Sequence, residues 1–528
     1  MPFTTLTFFT FFTVVFLAYY ALPKKMQWML LLCASLFFYA YISPYYLFLL
    51  LSIATITYAG ALWIGKIKFR RDAILGLNKG IFTREQRKAC REGSDKVSSR
   101  VVALVVVALL AVLGAFKYLQ FFLDNVFWLG GVIGCHVASP TLNIVLPVGL
   151  SFYVFQSMGY CIDVHRELVL PEKNFFKHVL FISYFPQIMQ GPIGNYGRLA
   201  PQFFVGHKFN YEQSVYGLQR IAWGLFKKFM IANIIADRIN PIWVSVGDYT
   251  GFICWSAILF LYAIQLYADF SGYMDIACGC SQMLGIRLDE NFNCPYFSKT
   301  VAEFWRRWHM TLGVWFKDYL FYTVLRSDSS LRLRNRLSAF GKYLSSTLPT
   351  AFALAVVWLA TGLWHGASWG YVAWGVYYGI FIILGIMLEP FYARIRSNCP
   401  RVCESKAYML MQMARTFAIV MFGYAIFKPG DLSVTVQIFK QMFAAMDGGG
   451  IYQIQYTLHH SFIKVFAWIA LIFVVDAIHY TRPNGTIRAW IRGLPSAVRW
   501  SIYLVGLWIM TFYGEYGSGF DQFEYFKF

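Results

Sequence analysis

Apolar residues in this chain run in blocks too long for a soluble core. Uncharged or nearly uncharged runs cover residues 3–22, 26–64, 101–116, 125–162, 249–268, 343–388, 416–427 and 500–514. A helix needs about 20 such residues to cross the hydrocarbon layer. Counting amphipathic spans with one or two interior charges, the pattern predicts an all-α polytopic membrane protein with about a dozen transmembrane helices. The longest run, Tyr343 to Leu388, holds 46 residues without Asp, Glu, Lys or Arg. It predicts a helical pair with His365 between or within its members.

Two places interrupt these runs with helix breakers. Pro147 and Gly149 stand inside Leu146-Pro147-Val148-Gly149-Leu150-Ser151, and Phe185 to Gly194 holds two prolines and two glycines in ten residues, followed by Arg198 and Pro201-Gln202-Phe203. Proline removes a backbone donor and clashes with the preceding turn, so neither stretch stays one regular helix. Irregular backbone at membrane depth is tolerated only inside protein or beside a water-filled cavity. The expectation is a re-entrant segment or funnel wall, with a loop at the membrane edge as the plainer alternative.

Composition agrees, with 58% hydrophobic, 20% aromatic and 14% charged residues, a profile of polytopic helical membrane proteins. The net charge of +20 reads as the excess of Lys and Arg on cytoplasmic loops. Nucleic-acid binding is not indicated, because the basic residues follow topology and not one face. The polar insert Lys66 to Arg100, with eleven basic and four acidic residues, falls inside, as do Arg326 to Lys342 (with Arg332, Arg334 and Arg336) and the loop carrying Arg482, Arg488, Arg492 and Arg499. Three spans before the first insert put the N-terminus outside, and Pro23-Lys24-Lys25 then falls inside. A last span from Trp500 to Gly514 leaves the tail Glu515 to Phe528 outside. The first helix lacks a basic leader and a cleavage site, and is expected to be retained.

The division read from this pattern is one membrane domain over residues 1–528. It comprises N-terminal helices 1–136 with a cytoplasmic basic loop at 65–100, a core at 140–390, C-terminal helices 405–514 and the aromatic tail 515–528. No repeat of 20–50 residues and no inverted pair of broken segments is visible, as a secondary transporter would favour. The ten cysteines lack zinc-ligand spacing, so no metal site is expected.

Polar residues concentrate at Asp269-Phe270-Ser271-Gly272-Tyr273-Met274-Asp275, at Glu290-Asn291-Phe292-Asn293-Cys294-Pro295-Tyr296 and at Glu303-Phe304-Trp305-Arg306-Arg307-Trp308-His309. Asp269 follows twenty uncharged residues, so its plain role is a helix N-cap or an ion pair with a neighbouring Arg. Val301 to Tyr319 reads as one helix with Trp305, His309, Leu312 and Phe316 on one stripe. Lying in the cytoplasmic interface, it would turn Arg306 and Arg307 toward phosphates, as an anionic coenzyme A donor would need. A lone intramembrane histidine is commonly a structural group, but His309 and His365 stand in separate tryptophan-rich segments of a chain with broken helices, which puts a catalytic role on a level with a structural one. Desolvation keeps imidazole neutral and able to accept a proton from an attacking hydroxyl. His136, His165, His178, His207, His459, His460 and His479 read as surface or packing residues. Walker, Rossmann, His-Glu-x-x-His and Gly-x-Ser-x-Gly signatures are missing.

Phe304-Trp305-Arg306-Arg307-Trp308-His309 and Gly362-Leu363-Trp364-His365-Gly366 resemble the paired histidine motifs of the membrane-bound O-acyltransferase (MBOAT) family. Leu146–Ser151, Phe185–Phe203, Asp269–Asp275 and Glu290–Tyr296 look like the further motifs of its bacterial branch, which acylates exported polysaccharides. The length and the helices beyond residue 405 look more like alginate-acetylating members than the shorter D-alanyl transferases. The resemblance implies a central tunnel, with His365 as catalytic histidine and His309 as the second family histidine on the cytoplasmic side. Asp269, Asn291, Arg306 and Trp308 would be donor contacts or supports.

The tail Phe520-Asp521-Gln522-Phe523-Glu524-Tyr525-Phe526 resembles the branch's C-terminal aromatic motif, which implies Tyr525 as an acyl relay. Its plainer reading is a tail packing its rings on the membrane interface. The spacing of 56 positions from His309 to His365 departs from the family pattern. The implied reaction moves an acyl group, acetyl in the simplest case, from acetyl-CoA or another cytoplasmic thioester to an exported polysaccharide, directly or through an extracytoplasmic transferase partner. The implied site is the bacterial cytoplasmic (inner) membrane. D-Alanyl transfer to teichoic acid and a non-enzymatic polysaccharide export component are the alternatives.

Overall fold

A computed structural model of the protein describes residues 1–134, 137–445, 462–482 and 487–517. Among these the fold is α-helical, with one isolated antiparallel bridge and no strand. Among the described residues seven helices are long and apolar enough to cross a membrane: Lys24–Ile42, Pro44–Leu77, Arg84–Val132, Phe252–Met283, Lys342–His365, Trp369–Met387 and Lys406–Phe427. Leu6–Ala21 and Val465–Thr481 are shorter apolar helices. The estimate of about a dozen spans is thus met only in part. Helices such as Tyr211–Lys227 carry too many polar side chains to read as spans by composition.

The helices divide into two compact units, Met1–Leu218 with Ala277–Asp289, and Gln219–Ile276 with Glu290–Phe528. In the first unit, the run 26–64 splits at Ser43, whose extended backbone precedes Pro44 at the first position of the next helix, as the restricted residue before a proline dictates. That helix runs 34 residues to Leu77, about 51 Å and well beyond a hydrocarbon layer. The basic insert therefore is no loop. It consists of two helical extensions joined by a short turn, and the second starts at a capping box in which Thr83 and Gln86 satisfy each other's backbone N–H. Lys68 pairs with Asp95 and lies 3.2 Å from Glu167, and Arg71 grips Glu167 through two bonds of 2.6 and 2.8 Å.

Both breaker stretches lie in this unit and meet. Gly149 has φ +75°, and a Cβ there would stand 2.1 Å from the Ile188 carbonyl oxygen. Pro186 opens the one-turn helix Phe185–Ile188, after which Met189 to Ile193 runs irregular and buried. Gln187 Nε2 donates to Gln156 Oε1 at 3.1 Å and to the Pro192 carbonyl at 2.5 Å. Irregular backbone buried in protein, with side-chain amides supplying hydrogen bonds, is one of the two settings the sequence allowed. Gly149→Ala is expected to destabilise the protein by roughly 2–4 kcal/mol, because strain in the left-handed region adds to overpacking. A detergent thermal-unfolding midpoint unchanged from wild type would refute this.

Two of the remaining histidines are packing groups here. His178 is buried with Nε2 2.9 Å from Thr57 Oγ1, and a ring nitrogen of His207 lies 2.8 Å from the Gln202 carbonyl. His136, His459 and His460 lie outside the described residues.

Candidate functional site

The uncharged run 343–388 folds as a hairpin of two helices, Lys342–His365 and Trp369–Met387. His365 is the last residue of the first helix. The two helices approach closely through glycines. A Cβ on Gly362 would stand 2.4 Å from the Tyr371 carbonyl oxygen, and one on Gly375 would stand 2.4 Å from that of Trp358, the small-residue contact of membrane helices. Ser368 caps the second helix by accepting from the Tyr371 N–H, and its hydroxyl donates to the Gly430 carbonyl at 2.5 Å. The turn Gly366–Ser368 therefore follows from close packing, and His365 is held at its edge.

His365 is buried, at 3% exposure. Its ring stands edge-to-face with Trp364 at 4.9 Å, Trp374 at 4.7 Å and Phe427 at 5.3 Å. His309, at 2% exposure, packs on Phe270 at 4.9 Å and on the same Trp364 at 5.8 Å. The two histidines thus flank one indole. Burial lowers the His309 imidazole to about 3, which leaves it neutral at physiological pH. The Trp374 indole Nε1 is also buried and has no hydrogen-bond partner among the described residues.

The expectation of one helix from Val301 to Tyr319 fails at His309. The helix Val301–Arg307 stops, Trp308 takes extended backbone, and His309 sits at φ +48°, ψ +51° before a new helix, Met310–Trp315. The stripe of Trp305, His309, Leu312 and Phe316 consequently does not exist. Asn291 is the physical reason. Its carbonyl accepts from the Met310 N–H at 3.0 Å, and its Oδ1 accepts from the Thr311 N–H at 2.9 Å and the Thr311 hydroxyl at 2.8 Å. Phe292 and Trp308 form the isolated bridge beside it. Groups that a continuous helix would satisfy internally are satisfied from this strand-like segment.

The remaining predicted residues separate. Asp269 forms a buried ion pair with Lys228 at 2.7 Å, so its partner is a lysine and not an arginine. Its neighbour Phe270 is the residue against His309. Trp308 belongs to an aromatic cluster with Phe292, Phe304 and Tyr267 at 5.0, 5.5 and 6.1 Å. Arg306 is exposed and forms no ion pair among the described residues, whereas Arg307 is tied to Glu303 at 2.9 Å and to the Asn293 carbonyl at 3.1 Å. Tyr525 lies outside the described residues.

Three residues of this region escaped the sequence reading. Lys227 reaches Asp275 at 2.5 Å and Ser271 at 2.8 Å, Lys228 holds Asp269, and Asp476 accepts from the Tyr267 hydroxyl at 2.7 Å. A signal existed for each. The lysines are adjacent within Phe226-Lys227-Lys228-Phe229, and Asp476 is the only acid in Phe462–Thr481. Charges in apolar runs point to buried partners. Among the described residues no three His, Cys, Asp or Glu side chains gather as a metal-ligand set.

Residues 169–427, which hold both histidines, match the family model of the membrane-bound O-acyltransferase family. The chain is 32% identical to the probable alginate O-acetylase AlgI of Pseudomonas aeruginosa over 84% of its own length and 75% of that protein's. It is 32% identical to the probable alginate O-acetylase AlgI of Azotobacter vinelandii over 85% and 79%. It is 29% identical to the peptidoglycan O-acetyltransferase of Helicobacter pylori over 83% and 79%. The chain belongs to the membrane-bound O-acyltransferase family. It is a multi-pass membrane O-acyltransferase.

Proposed function

We propose that this protein takes an acyl group, acetyl in the simplest case, from acetyl-CoA or another cytoplasmic thioester and delivers it across the bacterial inner membrane. The acceptor is a hydroxyl of an exported polysaccharide, reached through an extracytoplasmic transferase partner. The observation that carries the reading is the pair of buried histidines on either side of Trp364. The relatives' names support acetyl as the group and a polysaccharide as the acceptor, since two are named probable alginate O-acetylases and one a peptidoglycan O-acetyltransferase.

His365 acts as general base. Its neutral ring takes the proton of the attacking hydroxyl, and the oxygen adds to the thioester carbonyl. The tetrahedral oxyanion then collapses, expelling the thiolate, which recovers that proton from the imidazolium. The buried indole N–H of Trp374 is the nearby donor suited to the oxyanion. His309 and Asn291 form the wall that orients the donor, while Asp269 and Trp308 support it from behind. In the relay the attacking hydroxyl is the Tyr525 phenol, which leaves this step as an aryl ester; a hydroxyl of the partner then attacks that ester, takes the acyl group and releases the phenol. The N-terminus and the tail are extracytoplasmic in this reading, because the arginine-bearing segments lie inside.

The test is consumption of radiolabelled acetyl-CoA by the protein in vesicles with its extracytoplasmic partner present. Absence of both thioester hydrolysis and acyl transfer, also with acyl-carrier donors, would overturn the reading in favour of an export component. Within it, Arg306 is the exposed cation suited to a donor phosphate. Arg306→Gln is expected to raise the KM for acetyl-CoA about three- to tenfold with kcat nearly unchanged, the mark of a uniform binding contact. A fall in kcat at constant KM would remove Arg306 from donor binding.

A further inference from the structure

The second unit contains a cavity that the acyl-transfer reading does not use. The helices Phe462–Thr481 and Ser496–Tyr513 have between them the segment that carries Arg482, Arg488 and Arg492. Away from those arginines, Val465 and Trp468 of the first helix meet Phe512 to Glu515 at the end of the second. Together with Asp237 and Arg238 of the helix Asn233–Ile239, they line an open cleft of about 250 Å³. The wall is fixed by backbone bonds. The Glu515 N–H donates to the Phe229 carbonyl at 3.1 Å, and Asn233 Nδ2 donates to the Glu515 carbonyl at 3.0 Å. Tyr516 packs on Phe229 at 4.5 Å.

The geometry points to a binding site for one uncharged sugar ring of the exported polymer, at the extracytoplasmic end of these helices. The inference rests on the proposed function for the presence of such a polymer, and goes beyond it in placing polymer on this chain and naming its charge class. Four features decide the ligand. The volume is below the roughly 300–1,000 Å³ of drug-sized pockets, so the occupant is a single small ring. Trp468, Phe512 and Tyr513 offer aromatic surface to its C–H groups. Asp237, Glu515 and Arg238 line the same space, the carboxylates to accept from hydroxyls and the guanidinium to donate to ring and hydroxyl oxygens. Two carboxylates against one guanidinium disfavour a uronate, a phosphate or a lipid headgroup phosphate. The arginine-rich segment marks the cytoplasmic ends of both helices, so the cavity opens on the other side.

The experiment is calorimetric titration of the full chain in lipid nanodiscs with cellotetraose, tetramannuronate and glycerophosphate as separate probes. Saturable binding of cellotetraose is expected, with neither anion binding as tightly. Glu515→Gln and Trp468→Ala are each expected to weaken it about tenfold, a loss of about 1.4 kcal/mol. Trp468→Phe, which keeps an aromatic face and the packing on Phe226, is expected to retain most of it. No saturable binding by wild type, an equal or stronger response to tetramannuronate, or unchanged affinity in both Glu515→Gln and Trp468→Ala would overturn the inference. Thioester consumption by the same wild-type preparation is read independently. Its absence would count against acyl transfer while leaving the sugar titration to stand or fall by itself.

Discussion

His365→Ala is expected to lower acyl transfer and thioester hydrolysis together by about 10³-fold, some 4 kcal/mol of transition-state stabilisation, while the protein stays folded. Both readouts need a proton taken from the attacking oxygen, whether that oxygen belongs to an acceptor hydroxyl or to water. Folding should survive because His365 is the last residue of its helix and stands beside Trp364, Trp374 and Phe427, aromatic rings that remain packed around the turn. His365→Phe, which keeps a flat ring and removes both nitrogens, should be as inactive as alanine. If the phenylalanine variant retains more than a tenth of wild-type kcat, the imidazole is a packing ring and not a base.

The corresponding change at the second histidine must respect its backbone. His309 holds a left-handed conformation that Asn tolerates better than Ala, so His309→Asn separates ring chemistry from the turn. A variant that is folded and loses activity would give the ring a part in the reaction. Folded and fully active protein would leave His309 a wall residue.

The second large effect is expected at the Lys228–Asp269 pair, whose side chains are 2% and 3% exposed. Lys228→Met alone leaves a buried carboxylate without its lysine, and Asp269→Leu alone leaves a buried ammonium without its carboxylate. Each is expected to cost about 3–5 kcal/mol and to reduce sharply the yield of folded protein. The double variant Lys228→Met with Asp269→Leu removes both charges and should recover most of that loss, since apolar replacement of a buried pair is often neutral or better. Single variants as stable as wild type in a detergent melt would show that neither charge depends on the other. If the double variant folds but turns over slowly, the pair also positions the helix that sets Phe270 against His309.

The sequence was legible where a single run of residues carries the constraint. Forty-six residues without a charge must be a buried or membrane-embedded helical pair, and the glycines flanking His365 bring its members together. Pro147 and the Phe185–Gly194 segment could not be regular, and they are not. Both histidines were visible as costly groups among tryptophans. The sequence was opaque where the constraint arrives from elsewhere in the chain. The pattern from 301 to 319 has sound helical periodicity, yet it breaks at His309 because Asn291, eighteen positions earlier, offers its amide and carbonyl to the N–H groups there. The insert 66–100 is polar enough for a loop and is helical, because capping and ion pairs to Glu167 hold it.

The same division separates the chemistry. Composition and run length determined by themselves that this is a membrane-embedded helical protein, since no water is available at depth to satisfy open backbone and only regular helices satisfy it locally. Motif content determined the candidate histidines. Only the tertiary structure decided that His309 and His365 share Trp364, that Lys228 rather than an arginine neutralises Asp269, and that Arg306 is exposed while Arg307 is tied down. Those outcomes depend on which distant side chains meet at a few ångströms, and neither spacing nor hydropathy encodes that.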